Sequence, residues 1–224
     1  AMIRKLDTAM RHTQRIPMDA PLLLPTMEQG GQAGFRSNRS TQAYTAKQVM
    51  DILDEIEAHG SQLYGLTAIR VIRLMCIAGL RIQEAVYLRQ DNIDLDARRV
   101  CLEKNVNRAK GGKPRNTEMF DVESLAFMCE MKTMGQQCET GHLFVDRASL
   151  PNQVRAEIRR ACRTLGTTCL GSHAFRKFNA QRLYEALRAE GLDDDTARLR
   201  VSRHLGHNRI RDTKESYMPP QNLT

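Results

Sequence analysis

The chain contains no long apolar run, no paired-cysteine motif and no internal repeat or low-complexity tract. A membrane-spanning helix needs about 18 or more apolar residues in succession, so the sequence predicts no membrane span. No signal-peptide pattern opens the chain, and we therefore expect a cytoplasmic protein. The six cysteines are scattered, without a C-x-x-C pair, and several lie in apolar stretches. This arrangement favours reduced, mostly buried thiols over disulfides.

A metal centre is not predicted either. Among the six histidines, only His204 and His207 have a spacing that could hold a metal ion. No carboxylate or cysteine lies nearby in the sequence to complete a set of ligands. We therefore expect any catalytic chemistry to be carried by side chains alone.

The chain does have enough apolar residues for a core and a clear excess of positive charge. Its 224 residues are 41% hydrophobic, so a folded domain is expected rather than disorder. The formal net charge is +8 and the pI is about 9.4. This balance favours a polyanionic partner, with nucleic acid as the first candidate.

The composition divides the chain into an irregular N-terminal part and an ordered part. Residues 1–43 carry three prolines, a glycine-rich stretch and more cations than acids. This arm or linker is either a basic segment that touches DNA or a solvated leader, and its sequence does not decide between them. Residues 44–220 are the predicted folded domain, and residues 221–224 are a short tail.

The folded domain is predicted to be mainly α-helical with a small antiparallel β-hairpin, an α+β fold. Thr45 and Gln48 form a capping box ahead of a helix. Apolar spacing and glycine stops predict helices over 45–59, 61–78, from 82, 122–134, 151–165, 173–189 and 193–205. Alternating apolar residues predict extended segments over 92–101, 115–120 and 143–145, with a glycine turn at 110–114.

Arg81 is the first residue with a pattern that suggests chemistry. It follows Gly79, which ends one helix, and precedes the next helix, where a guanidinium can bind a phosphate with two hydrogen bonds. Glu84 lies on the same helical face and can fix that guanidinium. Taken alone, this spacing is more typical of a surface ion pair that contributes little to stability.

Four cations surround the glycine turn of the predicted hairpin: Arg108, Lys110, Lys113 and Arg115. Cations at a hairpin tip are usually just solvated. A mobile lysine is also suited to giving a proton to a leaving oxygen.

Two further groups lie near helix ends. His173 and Arg176 begin a helix at a spacing that lets both side chains meet one phosphate, although a lone H-x-x-R motif is weak. His207 follows the Leu205-Gly206 turn, and Tyr217 comes ten residues later. His204, one turn before His207, is expected to be structural.

Together these groups resemble the catalytic domain of the tyrosine recombinases, the phage integrase family. The resemblance spans about residues 44–218. The segment 79–84 is similar to the family's first arginine box, Lys110 to its hairpin lysine, and His173-Ala174-Phe175-Arg176 to its His-x-x-Arg box. The segment 205–217 is similar to its terminal stretch, including the tyrosine. Lys113 is a second candidate for the hairpin lysine, and Lys177 stands where the family often has histidine.

The resemblance implies a mechanism of DNA breakage and rejoining. Tyr217 would attack a DNA phosphate, forming a 3′-phosphotyrosyl bond and releasing a 5′-hydroxyl. Arg81, Arg176 and His207 would stabilise the charge of the transition state. His173 is the candidate base and Lys110 the candidate acid. The phosphotyrosine keeps the bond energy, so no cofactor is expected.

The resemblance also implies a function and partners. We expect a site-specific recombinase or integrase of a prokaryotic mobile element that acts on double-stranded DNA at the nucleoid. Self-association into a tetramer on DNA is expected, with a monomer or weak oligomer in its absence. Arg108, Lys113, Arg115 and Lys177 are expected to contact the DNA, and Glu84 to support the catalytic residues.

Three other functions remain open. A type IB topoisomerase uses similar chemistry without strand exchange. A non-catalytic DNA-binding module would need the charge but not Tyr217, and a structural protein would need neither. Residues 1–43 are too short for the N-terminal helical domain that recombinases of this family usually carry. We therefore expect either a longer parent protein or a minimal arm.

Overall fold

The computed structural model describes residues 42–103, 114–119 and 121–206. These residues form seven α-helices and three short strands in chain order. The helices are α1 (Ala46–His59), α2 (Gly65–Ala78), α3 (Ile82–Val86), α4 (Val122–Gln136), α5 (Leu150–Thr164), α6 (His173–Ala189) and α7 (Asp194–His204). The strands are β1 (Ile93–Asp94), β2 (Arg99–Leu102) and β3 (Arg115–Glu118).

Helix α2 is the centre of the helical layer. It packs against α1, α5 and α6, and ten of its 14 residues are buried. A helix with so much buried apolar surface is stable only when other elements cover it. The capping box predicted at Thr45 is present at the start of α1: the Thr45 hydroxyl accepts from the Gln48 amide at 3.2 Å.

The strands form one antiparallel sheet in the order β1-β2-β3. Val100 pairs with Thr117 and Leu102 with Arg115. Val100, Leu102 and Thr117 are buried, so one face of the sheet lies against the protein. The fold class, mainly α with a small antiparallel sheet, is confirmed.

A second, smaller core joins α6 to α7. It consists of six buried residues: Ala180, Leu183, Leu187, Ala197, Val201 and Leu205. Helix α7 also contacts β3. Its N-terminus is capped by Asp193, which accepts from the Thr196 amide at 2.9 Å. Helix α7 is therefore held between α6 and the sheet, and its C-terminal end lies at the base of the site described below.

Two predicted boundaries are wrong. Helix α2 begins at Gly65, because residues 61–64 form a turn in which the Ser61 carbonyl accepts from the Gly65 amide at 2.7 Å. Residues 143–145 do not form a strand. The extended pairing lies slightly earlier, as a single antiparallel bridge between Arg89 and His142.

None of the helices in the described ranges is long and apolar enough to cross a membrane. The predicted arm at 1–43, except for its last two residues, and the tail at 221–224 lie outside the described residues.

Candidate active site

The site begins where α2 ends. Gly79 has φ 58°, the left-handed conformation that stops a helix with little strain only when the residue has no side chain. A Cβ atom at this position would also lie 2.5 Å from Asn179 Oδ1 and 2.9 Å from His204 Nε2. Glycine therefore both turns the chain and lets α6 and α7 approach. The turn places Arg81 at the N-cap of α3.

Glu84 is the centre of the site. Its side chain has no exposed surface, yet its carboxylate meets three guanidinium groups. Arg81 donates to Oε1 at 2.7 Å through Nη1, and the Arg81 backbone amide donates to Oε2 at 2.7 Å. Arg115 donates to both oxygens, at 2.8 and 2.5 Å. Arg176 Nη1 lies 3.7 Å from Oε2.

The three cations keep this buried carboxylate ionised. Burial by itself would raise the pKa of Glu84, but the hydrogen bonds from Arg115 and the charges of Arg115, Arg176 and Arg81 lower it to about 2. The site therefore contains three positive charges, from the arginines, and one negative charge, from Glu84 itself. The net positive charge is suited to an anion such as a phosphate diester.

Arg176 lies beneath Glu84, in the first turn of α6. Its side chain is fully buried, and it donates to the backbone carbonyls of Gly79 and Leu205. It thereby joins the end of α2 to the end of α7. Arg81 is the more accessible of the two predicted catalytic arginines, with 22% of its side chain exposed. His173, at the first residue of α6, is exposed.

A chain of hydrogen bonds between uncharged groups, which we call the relay, supports the ends of α2 and α7. His204 Nδ1 accepts from the Glu118 amide at 3.1 Å, which fixes the proton on Nε2. Nε2 then donates to Asn179 Oδ1 at 3.0 Å. Asn179 Nδ2 donates to the carbonyls of Cys76 and Ile77, both at 2.9 Å. The relay connects β3, α7, α6 and the last turn of α2.

His204 remains neutral within this relay. Burial lowers its pKa first, and the charges of Arg176 and Arg115 lower it further, to about 3. The structural role expected for His204 agrees with this environment. Asn179 has no counterpart in the sequence predictions. The signal available in the sequence was an amide inside α6 one turn after Arg176, which places it on the same helical face.

The predicted site residues fall into two groups. The structure brings Arg81, Glu84, Arg115 and Arg176 together, with His173 on the first turn of α6. Lys110, His207 and Tyr217, together with Arg108 and Lys113, lie outside the described residues.

Two predicted DNA contacts have environments that the sequence did not indicate. The Arg115 side chain is only 6% exposed, and both of its terminal nitrogens bind Glu84. Lys177 is also 6% exposed, and burial lowers its pKa. The hairpin position of Arg115 suggested a solvated side chain, but the strand turns it inward toward Glu84.

The arrangement of two arginine boxes around one buried acid agrees with the comparison to known families. The model of the phage integrase family matches residues 34–222. The chain belongs to the phage integrase family. The matched residues include both the described site and the segment that contains Tyr217.

Solved structures show the same fold at low sequence identity. XerH site-specific recombinase, in a post-cleavage complex with a palindromic difH substrate, is 18% identical with a TM-score of 0.58, over 81% of this chain and 50% of that one. The Tn1549 transposon integrase, in complex with transposon right end DNA, is 15% identical with a TM-score of 0.59, over 84% and 65%. The catalytic domain of bacteriophage HP1 integrase is 18% identical with a TM-score of 0.52, over 82% and 91%.

The chain thus spans half the length of XerH and nearly all of the HP1 catalytic domain. These likenesses establish the fold of the tyrosine recombinase catalytic domain. No curated protein gives a significant match to the sequence.

Proposed function

We propose that this chain is the catalytic domain of a site-specific recombinase that cleaves and rejoins double-stranded DNA through Tyr217. The observation that carries the proposal is the cluster around Glu84, where Arg81, Arg115 and Arg176 meet one buried carboxylate. Family membership and the DNA substrates named for XerH and the Tn1549 integrase support it. No feature of the described residues favours the topoisomerase or the binding-module alternative.

The proposed step conserves the phosphodiester's bond energy. The Tyr217 oxygen forms a bond to the phosphorus while the bond from phosphorus to the 5′-oxygen breaks. His173, exposed at the start of α6, takes the phenol proton, and Lys110 gives a proton to the departing 5′-oxygen. A free 5′-hydroxyl, from the same or a second duplex, reverses the step, so no nucleotide cofactor is required.

The arginines have different parts in this step. Arg81 is partly exposed and contacts a nonbridging phosphate oxygen, while Glu84 holds its guanidinium in place. Arg176 is fully buried and donates to the backbone carbonyls of Gly79 and Leu205. We propose that it reaches the phosphate when DNA binding displaces one of these carbonyl partners. His207 adds a further donor, and together these groups stabilise the charge that develops on the phosphorane-like transition state.

A suicide substrate tests the function. When a duplex nicked near the cleavage site is cleaved, the short strand that carries the new 5′-hydroxyl dissociates and cannot be rejoined. An enzyme that cleaves therefore stays covalently bound to the DNA, which a denaturing gel detects, whereas a protein that only binds DNA does not. Tyr217→Phe should abolish the adduct and leave DNA binding nearly unchanged, since only a hydroxyl is removed. A Phe variant that still forms the adduct would exclude Tyr217 as the nucleophile.

Strand exchange is tested separately from cleavage. Transfer of a labelled strand between two duplexes is expected from a recombinase, whereas supercoil relaxation without transfer would indicate a topoisomerase. Assembly into a tetramer on DNA is also part of the proposal, and sedimentation of the chain with and without a duplex carrying two sites measures it.

A further inference from the structure

Arg115 has the most unusual environment among the cations of the site that the structure describes. It is the first residue of β3, directly after the predicted lysine hairpin, and its side chain is almost completely buried. Its guanidinium binds the Glu84 carboxylate with two hydrogen bonds, from Nη1 to Oε1 and from Nη2 to Oε2. A paired contact of this kind fixes both the distance and the orientation of the two groups.

The stem of the same side chain lies against a second segment of the site. Gly206, with φ 71°, is so close that a Cβ atom added there would lie 2.6 Å from Arg115 Cδ and 3.3 Å from Nε. Gly206 directly precedes His207 in the chain. Arg115 therefore touches the arginine box of α3 with its guanidinium and the turn after α7 with its stem.

The position of Arg115 also affects what Arg81 and Arg176 can do. An ionised carboxylate has about four acceptor positions, and a buried one must fill them. Arg115 takes one position on each oxygen, at 2.8 and 2.5 Å. Arg81 takes the other two positions, through Nη1 and its backbone amide, both at 2.7 Å. Without Arg115, two positions of the buried carboxylate would stay unfilled. The group that holds Arg81, and lies 3.7 Å from Arg176, would then lose its fixed orientation.

We propose that Arg115 is a positioning residue for the cleavage reaction, not a DNA contact: its guanidinium fixes the Glu84 carboxylate that orients Arg81, and its stem supports the turn at Gly206, directly before His207. This inference rests on the proposed function and assigns Arg115 a role other than the DNA contact expected from its place in a basic hairpin.

The decisive comparison is between Arg115→Met, Arg115→Lys and a matched control, Arg160→Met. Arg160 is also an arginine that bridges two carboxylates, Glu55 at 2.9 Å and Glu157 at 3.2 Å, but it lies between α1 and α5. Each variant is examined by thermal unfolding, by DNA affinity as a function of salt, and by the single-turnover rate of adduct formation at saturating suicide substrate.

A positioning residue and a phosphate contact give opposite results. For a positioning residue, Arg115→Met should slow adduct formation roughly 10–100-fold while the slope of log affinity against log salt stays unchanged. Arg115→Lys, which keeps the charge but not the paired contact, should fall in between. Arg160→Met should lower the unfolding temperature without slowing the reaction.

A salt slope lowered by about one in Arg115→Met, with a normal rate at saturation, would overturn the proposal, because that is the behaviour of a lost phosphate contact. If Arg115→Met does not fold, Arg115→Lys is judged by the same two measurements. If the unmodified chain forms no adduct, the proposed function fails on its own. The salt slope then still decides whether Arg115 contacts DNA.

Discussion

At the scale of single residues, the site depends on keeping two buried titratable groups in opposite states. Glu84 stays ionised because its arginines lower its pKa to about 2, whereas His204 stays neutral because burial and the same arginines lower its pKa to about 3. Both states hold at neutral pH. The two groups become protonated in different pH ranges, so their contributions to folding stability can be measured separately.

His204 should make folding stability fall first as the pH decreases. Its unfolded pKa is 6.5 and its folded pKa about 3, so between these values the unfolded chain binds the extra proton and stability rises with pH. The loss should approach roughly 1.4 kcal/mol for each pH unit once the pH is well below 6.5. Glu84 adds its own loss only as the pH falls below 4.5 toward 2.

Urea unfolding at pH 7, 6 and 5 measures this effect. The variant His204→Gln keeps an amide donor for Asn179 but has no group that titrates in this range, so its stability should depend less on pH than that of the unmodified chain. Parallel pH profiles for the two proteins would contradict the assigned neutral state of His204.

At the scale of elements, the helices were predictable because their signals are local. The capping box at Thr45, the acidic start of α7 and the glycines that follow α2 and α6 act within a few residues of the chain. Helix α6 was predicted with the bounds that the structure has, His173–Ala189. The start of α2 was misplaced because Ser61 and Gly65 are joined by a turn whose stability depends on a distant acid, Glu157, which accepts from the Ser61 amide at 3.2 Å.

Among the described residues of the candidate site, the sequence indicated one contact and gave no signal for the others. The spacing of Arg81 and Glu84 on one short helix indicated their pairing, and the structure confirms that hydrogen bond. The contact between Arg115 and Glu84 joins residues that are 31 apart in sequence, and the relay through Asn179 joins four elements. Such contacts follow from tertiary packing, so spacing within one element contains no signal for them.

Helix α7 should open more easily than the rest of the helical layer, because it packs on α6 through a small core of its own. Val201→Ala and Val71→Ala make the same change at two fully buried valines, one in α7 and one in α2. Each should cost roughly 1–3 kcal/mol. Val201→Ala should selectively speed amide hydrogen exchange in α7, whereas Val71→Ala should lower protection in all of the helices.

The two variants are distinguished by which helices exchange their amide hydrogens faster, not by how much faster they exchange. Equal loss of protection in α2 and α7 for Val201→Ala would show that the small core is not a separate unit. Because Leu205 and Gly206 follow α7 directly and Arg176 binds the Leu205 carbonyl, we also expect Val201→Ala to slow adduct formation more than Val71→Ala.

At the scale of the whole molecule, the proposed function gives the positive charge and the buried arginines separate uses. The net charge of +8 would provide the long-range attraction for DNA. The arginines around Glu84 are mostly covered and would act at one phosphate. An open cleft of about 570 Å³ lies beside them, lined by Pro114, Arg115, Asn116, Glu118, Arg200, Arg203, His204 and Gly206. Arg200 and Arg203 are both exposed, and Arg200 is paired with Glu118 at 3.0 Å. We therefore expect DNA binding to depend on Arg203 in a way that differs from Arg115.

Arg203→Gln should therefore weaken DNA binding about equally for all sequences and lower the slope of log affinity against log salt by about one. The reason is that an exposed guanidinium that pairs with a phosphate releases about one counterion from the DNA. The rate of adduct formation at saturating DNA should be unchanged. Titration of fluorescent duplexes at several salt concentrations measures the slope, and a random-sequence duplex serves as the control. If Arg203→Gln keeps the full slope but slows the reaction at saturation, the cleft supports catalysis rather than binding, and the separation between surface charge and buried arginines is wrong.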